Sequence, residues 1–252
     1  MIYTVISNIF GCAINEENSP LCDSDRVFSI SSAKAIDGNK ESGDCCKMQQ
    51  SLPELPRDIR EYINNTKNEK VKAERRLAYT TLLCSLSVFF DIKDVKIQKD
   101  SLGKPFLIGL KENISFNISH SEGTVAVTLS DEGDVGVDLQ ADVDKKLAEK
   151  LDRRFLHGLN LHNQPIPISF FYCTIENNLA CFTEILPPDS NSADFTERWS
   201  ALESLLKLNG GGFGNLLEAK EISKTTKTSI KKLYINGKKF ALSISVKTKK
   251  RI

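Results

Sequence analysis

The segment ISFNISHSEGTVAVTLSDEGDVGVDLQ, residues 114–140, carries the clearest fold signal in the chain. Apolar and polar residues alternate over 114–119 and again over 125–129, with Glu122-Gly123 between the two runs. Alternation at period two predicts strands with one buried face, and the short Gly-containing connection predicts a hairpin. The turn-forming residues 130–134 then lead into another apolar run, so the segment predicts three consecutive strands.

On the N-terminal side, a strand and a long helix are predicted around a polar stretch. Residues 2–7 alternate and predict a strand, whereas residues 15–56 are rich in Ser, Asp, Asn, Gly and Lys and predict mostly loop. Residues 67–90 contain no Pro or Gly and carry apolar residues at roughly helical spacing. They therefore predict a helix.

On the C-terminal side, two helices and a hairpin are predicted. The helices span about 144–156 and about 195–208, and the second ends at Asn209-Gly210-Gly211-Gly212, a strong stop signal. Asn236-Gly237 lies between two apolar runs and is the preferred turn of a two-residue hairpin. Residues 157–194 show no clear pattern.

Composition excludes several classes of protein. The 252 residues are 40% hydrophobic and 27% charged, and the net charge of +1 gives no electrostatic case for nucleic acid. No apolar run approaches the ~20 residues of a membrane-spanning helix, and the N-terminus lacks the positive charge of a secretory signal. The seven cysteines are odd in number and form no CxxC, which predicts free thiols in a reducing cytoplasm.

Four short segments carry the candidate chemistry. They supply basic groups, a histidine and two carboxylates far apart in the chain, which suits a phosphate ester and a hard divalent metal. In chain order they are Gly103-Lys104-Pro105, Phe116–Ser121, Gly136–Gln140 and Trp199–Lys207.

The two carboxylates have simpler interpretations when each is taken alone. On a strand, Asp138 shares a face with Gln140, and it could simply cap a turn. On a helix, Glu203 shares a face with Trp199 and Lys207, and it could form a surface ion pair. Only the fold could bring the two carboxylates together.

The order of the four segments resembles the 4′-phosphopantetheinyl transferases of the long, surfactin-synthetase-activating type, over about residues 70–215. The resemblance implies an α+β pseudo-dimer of two similar subdomains, each a small antiparallel sheet packed with a long helix. The halves would be residues 1–132 and 133–252, with the active site at their interface. The implied reaction transfers 4′-phosphopantetheine from coenzyme A to a serine of an apo acyl or peptidyl carrier protein, releasing adenosine 3′,5′-bisphosphate.

The resemblance also assigns roles to individual residues. Metal ligands for Mg²⁺, with Mn²⁺ as the alternative, would be Asp138, Gln140 and Glu203. Coenzyme A would contact Arg75 (or its neighbour Arg76), Lys104, Ser119, His120 and Lys207. The catalytic residues would be His120, Glu203 and Lys207.

Two positions depart from the family pattern. Gln140 stands where the family has a metal-binding Glu, and Leu202 stands where it commonly has Lys. An amide oxygen can still ligate a metal but brings no charge. The departures leave open a degenerate, non-catalytic module that binds a carrier protein or coenzyme A, or a protein that recognises coenzyme A alone. The family also implies a monomer with an acidic carrier partner, whereas the composition predicts a cytoplasmic protein with no nucleic-acid or membrane partner.

Overall fold

The protein folds as a mixed α+β structure. The computed structural model describes residues 1–9, 48–110, 113–156, 161, 163–190, 194–210, 212 and 221–248. The strands are β1 (Ile2–Asn8), β2 (Met48–Ser51), β3 (Lys96–Lys99), β4 (Pro105–Ile108), β5 (Ser115–Ser121), β6 (Thr124–Ser130), β7 (Gly133–Ala141), β8 (Ser169–Glu176), β9 (Leu179–Ile185), β10 (Lys227–Ile235) and β11 (Lys238–Thr248). The helices are α1 (Arg57–Asn64), α2 (Glu69–Phe90), α3 (Lys145–Leu151), continued by a π-helical turn at Asp152–Leu156, and α4 (Phe195–Asn209).

Most of the predicted elements are confirmed. The opening segment forms β5, β6 and β7, and the predicted helices and the C-terminal hairpin correspond to α2, α3 with its π-helical turn, α4 and β10–β11. Residues 157–194, which show no clear sequence pattern, contain β8 and β9. Residues 15–47 and Gly211, which carried predictions, lie outside the described residues.

The strands form two main sheets and a small hairpin. The six-stranded sheet has the order β2-β9-β8-β1-β6-β5, the three-stranded sheet has the order β10-β11-β7, and β3 pairs with β4. Within the six-stranded sheet, β1 runs parallel to β8, while its other neighbour, β6, is antiparallel. Strands β8 and β9 follow β7 in the chain yet join the sheet of β5 and β6. The division between residues 132 and 133, and the pseudo-dimer, stay predictions.

Each sheet is covered by one long helix. Helix α2 packs its buried face, including Leu82 and Leu86, on the six-stranded sheet, and a second core forms around Ile6, Val137 and Phe240. Helix α4 contacts both β7 and β11. No helix in the described ranges is both long and apolar enough to cross a membrane.

Helix α4 approaches β7 so closely that the crossing requires glycine. A Cβ atom on Gly136 would lie 2.1 Å from the carbonyl oxygen of Ser204 and 2.5 Å from the backbone nitrogen of Leu208. Backbone atoms cannot yield as the end of a side chain can. The crossing therefore fixes where α4 presents its side chains above β7.

Candidate functional site

The candidate site lies where polar side chains of β5 form hydrogen bonds with the backbone of β7, in place of backbone-to-backbone hydrogen bonds between the two strands. We call this row of contacts the seam. Alternate residues of β5 accept hydrogen bonds from the free-edge N–H groups of β7, and this joins the two main sheets. The pairs are Ser115 Oγ with Val135 N (3.2 Å), Asn117 Oδ1 with Val137 N (3.1 Å), Ser119 Oγ with Leu139 N (3.0 Å) and Ser121 Oγ with Ala141 N (3.2 Å). Because buried N–H groups need acceptors, the seam accounts for the polar side chains of β5 that face away from solvent.

Asp138 is held at this seam with one carboxylate oxygen fully engaged. The residue is 2% exposed, and its Oδ1 accepts hydrogen bonds from Ser119 Oγ (3.1 Å) and Lys207 Nζ (2.7 Å). Ser200 of α4 also donates to the Asp138 backbone carbonyl at 3.1 Å. The other oxygen, Oδ2, is buried, and unless Glu203 carries a proton no donor among the described residues reaches it. A buried carboxylate oxygen without a donor is costly, so Oδ2 is a candidate ligand atom.

Glu203 projects from α4 towards the same carboxylate. Burial, and after it the nearby charge of Asp138, raise the pKa of Glu203 to about 7, while the ammonium of Lys207 opposes the rise. Around neutral pH, a protonated Glu203 can therefore donate to Asp138. The predicted convergence of the two carboxyl groups is thus present in the structure, although it required packing between a strand and a helix distant in the chain.

Lys207 and Ser119 contact the same carboxylate. Together with Asp138 and Glu203 they form what we call the cluster. The Lys207 ammonium donates to Ser119 Oγ at 2.8 Å and to Asp138 at 2.7 Å. The Ser119 hydroxyl accepts from both Lys207 and the Leu139 backbone while donating to Asp138. Its hydrogen-bonding capacity is filled within the protein, so in this structure Ser119 positions the cluster.

A cleft of about 340 Å³ opens beside the cluster. This volume suits a small ligand or part of a larger one. The lining comes from the β3–β4 turn, from the middle of β5 and from the C-terminal end of α4. It includes Gly103, Lys104, Asn117, Glu203, Lys207 and Gly210.

Lys104 lies in the cleft wall but is already engaged. Its Nζ donates to the backbone carbonyl of Leu208 at 2.8 Å, which satisfies a free carbonyl in the last turn of α4. Burial lowers the pKa of the Lys104 ammonium, against the opposing charges of Asp134 and Asp100. The side chain therefore ties the β3–β4 turn to α4, and its contact with a phosphate stays a prediction.

Asp138 and Ser119 are not among the lining residues of the cleft, and three further predicted residues belong neither to the lining nor to the contacts around Asp138. The His120 side chain pairs with Glu74 of α2, Nδ1 to Oε2, at 2.8 Å. Arg75 donates to Thr66 Oγ1 at 2.7 Å, and its guanidinium carbon lies 4.6 Å from the centre of the Tyr62 ring. Gln140 is half-buried and donates its amide to the carbonyl of the adjacent Ala141 at 3.1 Å.

Sequence reasoning missed two residues of this region, Asn117 and Glu74. Asn117 was visible as a polar residue between two apolar positions of a strand, which is the alternation that also predicts a solvent-facing side chain. Glu74 was visible as an acid three and four residues before Leu77 and Ala78, on the face of α2 that is buried. An acid on a buried helix face signals a specific partner, but the sequence does not say which.

The donor set fits a hard divalent cation. Oxygen ligands from one or two carboxylates, completed by water and phosphate oxygens, are what Mg²⁺ uses in many phosphate-binding sites. Asp138 offers the donor-free Oδ2, and Glu203 faces the same carboxylate. Within the described ranges, no group of three or more His, Cys, Asp or Glu side chains could hold a metal, so the site offers a pair of carboxyl groups.

No protein-family model matches this chain, and a search of curated proteins finds no match. The resemblance to the phosphopantetheinyl transferases therefore stays a prediction that rests on the four segments.

Proposed function

We propose that this protein transfers 4′-phosphopantetheine from coenzyme A to a serine of an apo acyl or peptidyl carrier protein. The observation that carries the proposal is the convergence of Asp138, Glu203 and Lys207, of which Glu203 and Lys207 line the cleft. Two carboxyl groups and an ammonium, held by a strand and a helix from distant parts of the chain, are the groups that a metal-assisted phosphoryl transfer needs.

In this proposal, Asp138 and Glu203 hold Mg²⁺ or Mn²⁺, and the Gln140 amide oxygen is a further ligand candidate. When bound, the cation offsets the charge of the coenzyme A diphosphate. Lys207, which already faces Asp138, also lines the cleft and stabilises negative charge on the departing phosphate.

The chemical step breaks the phosphoanhydride bond of the coenzyme A diphosphate and forms a phosphoester bond to the carrier serine. The carrier serine oxygen forms a bond to the phosphorus that bears pantetheine, and the bond from that phosphorus to the adenosine bisphosphate breaks. Glu203, the more exposed of the two carboxyl groups, accepts the serine proton.

The test is the intact mass of an apo carrier protein after incubation with this protein, coenzyme A and Mg²⁺. We expect a gain of one phosphopantetheine that is lost with EDTA and lost in Asp138→Ala. The matched control is Asp189→Ala, which removes an exposed carboxylate paired with Lys231 outside the cleft lining. No gain with several carrier types, despite measurable coenzyme A binding, would contradict the proposal.

A second candidate function is a non-catalytic module that binds a carrier protein or coenzyme A. Two observations favour it: Gln140 brings no charge to the site, and Leu202 is fully buried beside Leu156 and Trp199, where it offers no cation. This module would bind without turnover, and its binding would not change when Mg²⁺ is removed. The same mass measurement, paired with a binding measurement, separates the two candidates.

A further inference from the structure

A buried carboxylate of α2 holds the His120 ring. Glu74 is 4% exposed, and its Oε2 lies 2.8 Å from His120 Nδ1. Its other oxygen, Oε1, accepts the backbone N–H of Gly123 at 2.8 Å. No Lys or Arg in the described part of the chain forms an ion pair with this carboxylate. The imidazole is therefore its only ionisable partner there.

The contact decides which edge of the ring is open. Because Nδ1–H of His120 donates to Glu74, the ring cannot turn without breaking a buried hydrogen bond. The His120 side chain is 38% exposed, and Nε2 makes no hydrogen bond to any described residue. The ring thus has one nitrogen anchored and the other available.

The turn that follows His120 is held by the same carboxylate. Glu122 and Gly123 both have positive φ, 50° and 78°, as the two central residues of a tight hairpin turn do. Since Glu74 accepts from Gly123 as well as from His120, it fixes the end of β5 and the ring together. If Glu74 served only to hold α2 against this turn, its hydrogen bond with the Gly123 N–H would be sufficient.

We propose that Glu74 is a positioning residue for His120, which it orients so that Nε2 meets an anionic oxygen of the ligand. The inference rests on the proposed function, in which that oxygen belongs to a phosphate group of coenzyme A. A carboxylate and a phosphate are both acceptors, so a ring between them donates from both nitrogens, as an imidazolium does. The buried carboxylate balances that positive charge.

The test is a double-mutant cycle with Glu74→Gln and His120→Gln, measured as KM for coenzyme A. Each single variant should raise this KM about tenfold, and the double variant should raise it no further, because Glu74 acts through the ring. The KM for the carrier protein should change less than twofold. The matched control is Thr81→Val, which breaks another buried contact of α2, the 3.0 Å bond to Ser7, without touching His120. Its KM for coenzyme A should not change.

A spectroscopic measurement needs neither a variant nor turnover. The chain has three histidines, so ¹⁵N NMR of the imidazoles can resolve His120. We expect Nδ1 to carry a proton in the wild-type protein. A ring with Nδ1 unprotonated would overturn the inference, as would additive effects on KM or an unchanged KM in Glu74→Gln.

The proposed function and this inference can fail separately. If the wild-type protein transfers nothing, the proposed function fails, and the same cycle is run on the Kd for coenzyme A by calorimetry. Non-additive losses of affinity in that cycle would still support the role of Glu74. A wild-type protein that binds neither coenzyme A nor inorganic pyrophosphate would overturn the inference as well.

Discussion

At the residue scale, Ser119 connects the seam to the candidate site. Its hydroxyl satisfies the Leu139 N–H of β7, contacts Lys207 and donates to Asp138. Ser119→Ala should therefore leave a buried N–H and a buried carboxylate oxygen short of partners. We expect it to lower the free energy of unfolding by about 1–3 kcal/mol, measured by urea denaturation.

The matched control for Ser119 lies two residues further along β5. Ser121→Ala removes one seam hydrogen bond, to the Ala141 N–H, at a half-buried position that does not touch Asp138. Its cost should stay at or below about 1 kcal/mol. Equal losses in the two variants would show that the contacts of Ser119 with the charged cluster contribute no stability.

The raised pKa of Glu203 predicts that the stability of the metal-free protein depends on pH. Its pKa rises from an ordinary 4.5 to about 7 on folding, so the folded state binds the extra proton between these values. The stability contributed by that proton is fully present below about pH 4.5 and is lost as the pH rises through about 7. Glu203→Gln removes the ionisation and should stabilise the protein at pH 8 by roughly 1–2 kcal/mol, a value reduced for solvent screening, and not at pH 4.5.

The measurement for Glu203 is urea denaturation in EDTA at pH 4.5, 6 and 8, with the exposed Glu176→Gln as control. The difference between Glu203→Gln and wild type should grow with pH, whereas the control should stay flat. A constant difference at all three pH values would mean that Glu203 does not ionise against Asp138 in this range.

The residues differ in how far the sequence could predict them. Asp138 and Glu203 were predicted from the order of the four segments, and the structure brings their carboxyl groups together, while their role as metal ligands stays a prediction. Lys104 could be predicted only in part. The sequence shows that its side chain is charged, but not that its ammonium donates a hydrogen bond to the Leu208 carbonyl. The role of Glu74 could not be predicted either, because its partner His120 becomes a neighbour only when α2 packs on β5.

At the element scale, the close crossing of α4 and β7 predicts a steric requirement at Gly136. Gly136→Ala would place a Cβ 2.1 Å from the Ser204 carbonyl oxygen, so α4 must shift or the strand must bend. We expect a loss of about 3 kcal/mol, the upper range for overpacking, because backbone atoms are involved. Urea denaturation of the purified variant measures this loss.

A second glycine variant controls for backbone effects. Gly237 has a φ of +73° and open space around an added Cβ, so Gly237→Ala should cost only the strain of the left-handed backbone, about 1 kcal/mol. If Gly136→Ala were no more destabilising than Gly237→Ala, the close approach of α4 to β7 would be wrong.

The regularity of the apolar and polar pattern explains which strands and helices could be predicted from the sequence. Strands β5 and β6 and helix α2 carry long, regular patterns, whereas β8 lies inside a sheet, and the adjacent Phe170 and Phe171 are both buried. The two adjacent buried aromatic residues interrupt, at the start of β8, the alternation of apolar and polar residues by which strands are recognised. The turn signal at Asn177-Asn178, whose φ values are 49° and 62°, was the remaining clue to the β8–β9 hairpin.

At the scale of the whole molecule, the site joins the two main sheets and α4. Asp138 lies in one sheet, Ser119 in the other, and Glu203 and Lys207 on the helix that covers β7. A cation held by Asp138 and Glu203 would therefore bind only when these parts are assembled. Binding to the folded state alone stabilises the whole fold by mass action.

Magnesium should accordingly raise the melting temperature of the wild-type protein. At a concentration one hundred times its Kd, a ligand that binds only the folded state adds about 2.7 kcal/mol, and each kcal/mol shifts the melting temperature by about 2–4 °C in a chain of this size. Differential scanning fluorimetry with MgCl₂, against NaCl at equal ionic strength, measures this shift. The double variant Asp138→Asn, Glu203→Gln should lose it, while Asp189→Ala, outside the cleft lining, should keep it. An equal shift in the double variant would place the cation elsewhere and would leave the donor-free oxygen of Asp138 without the partner that we propose for it.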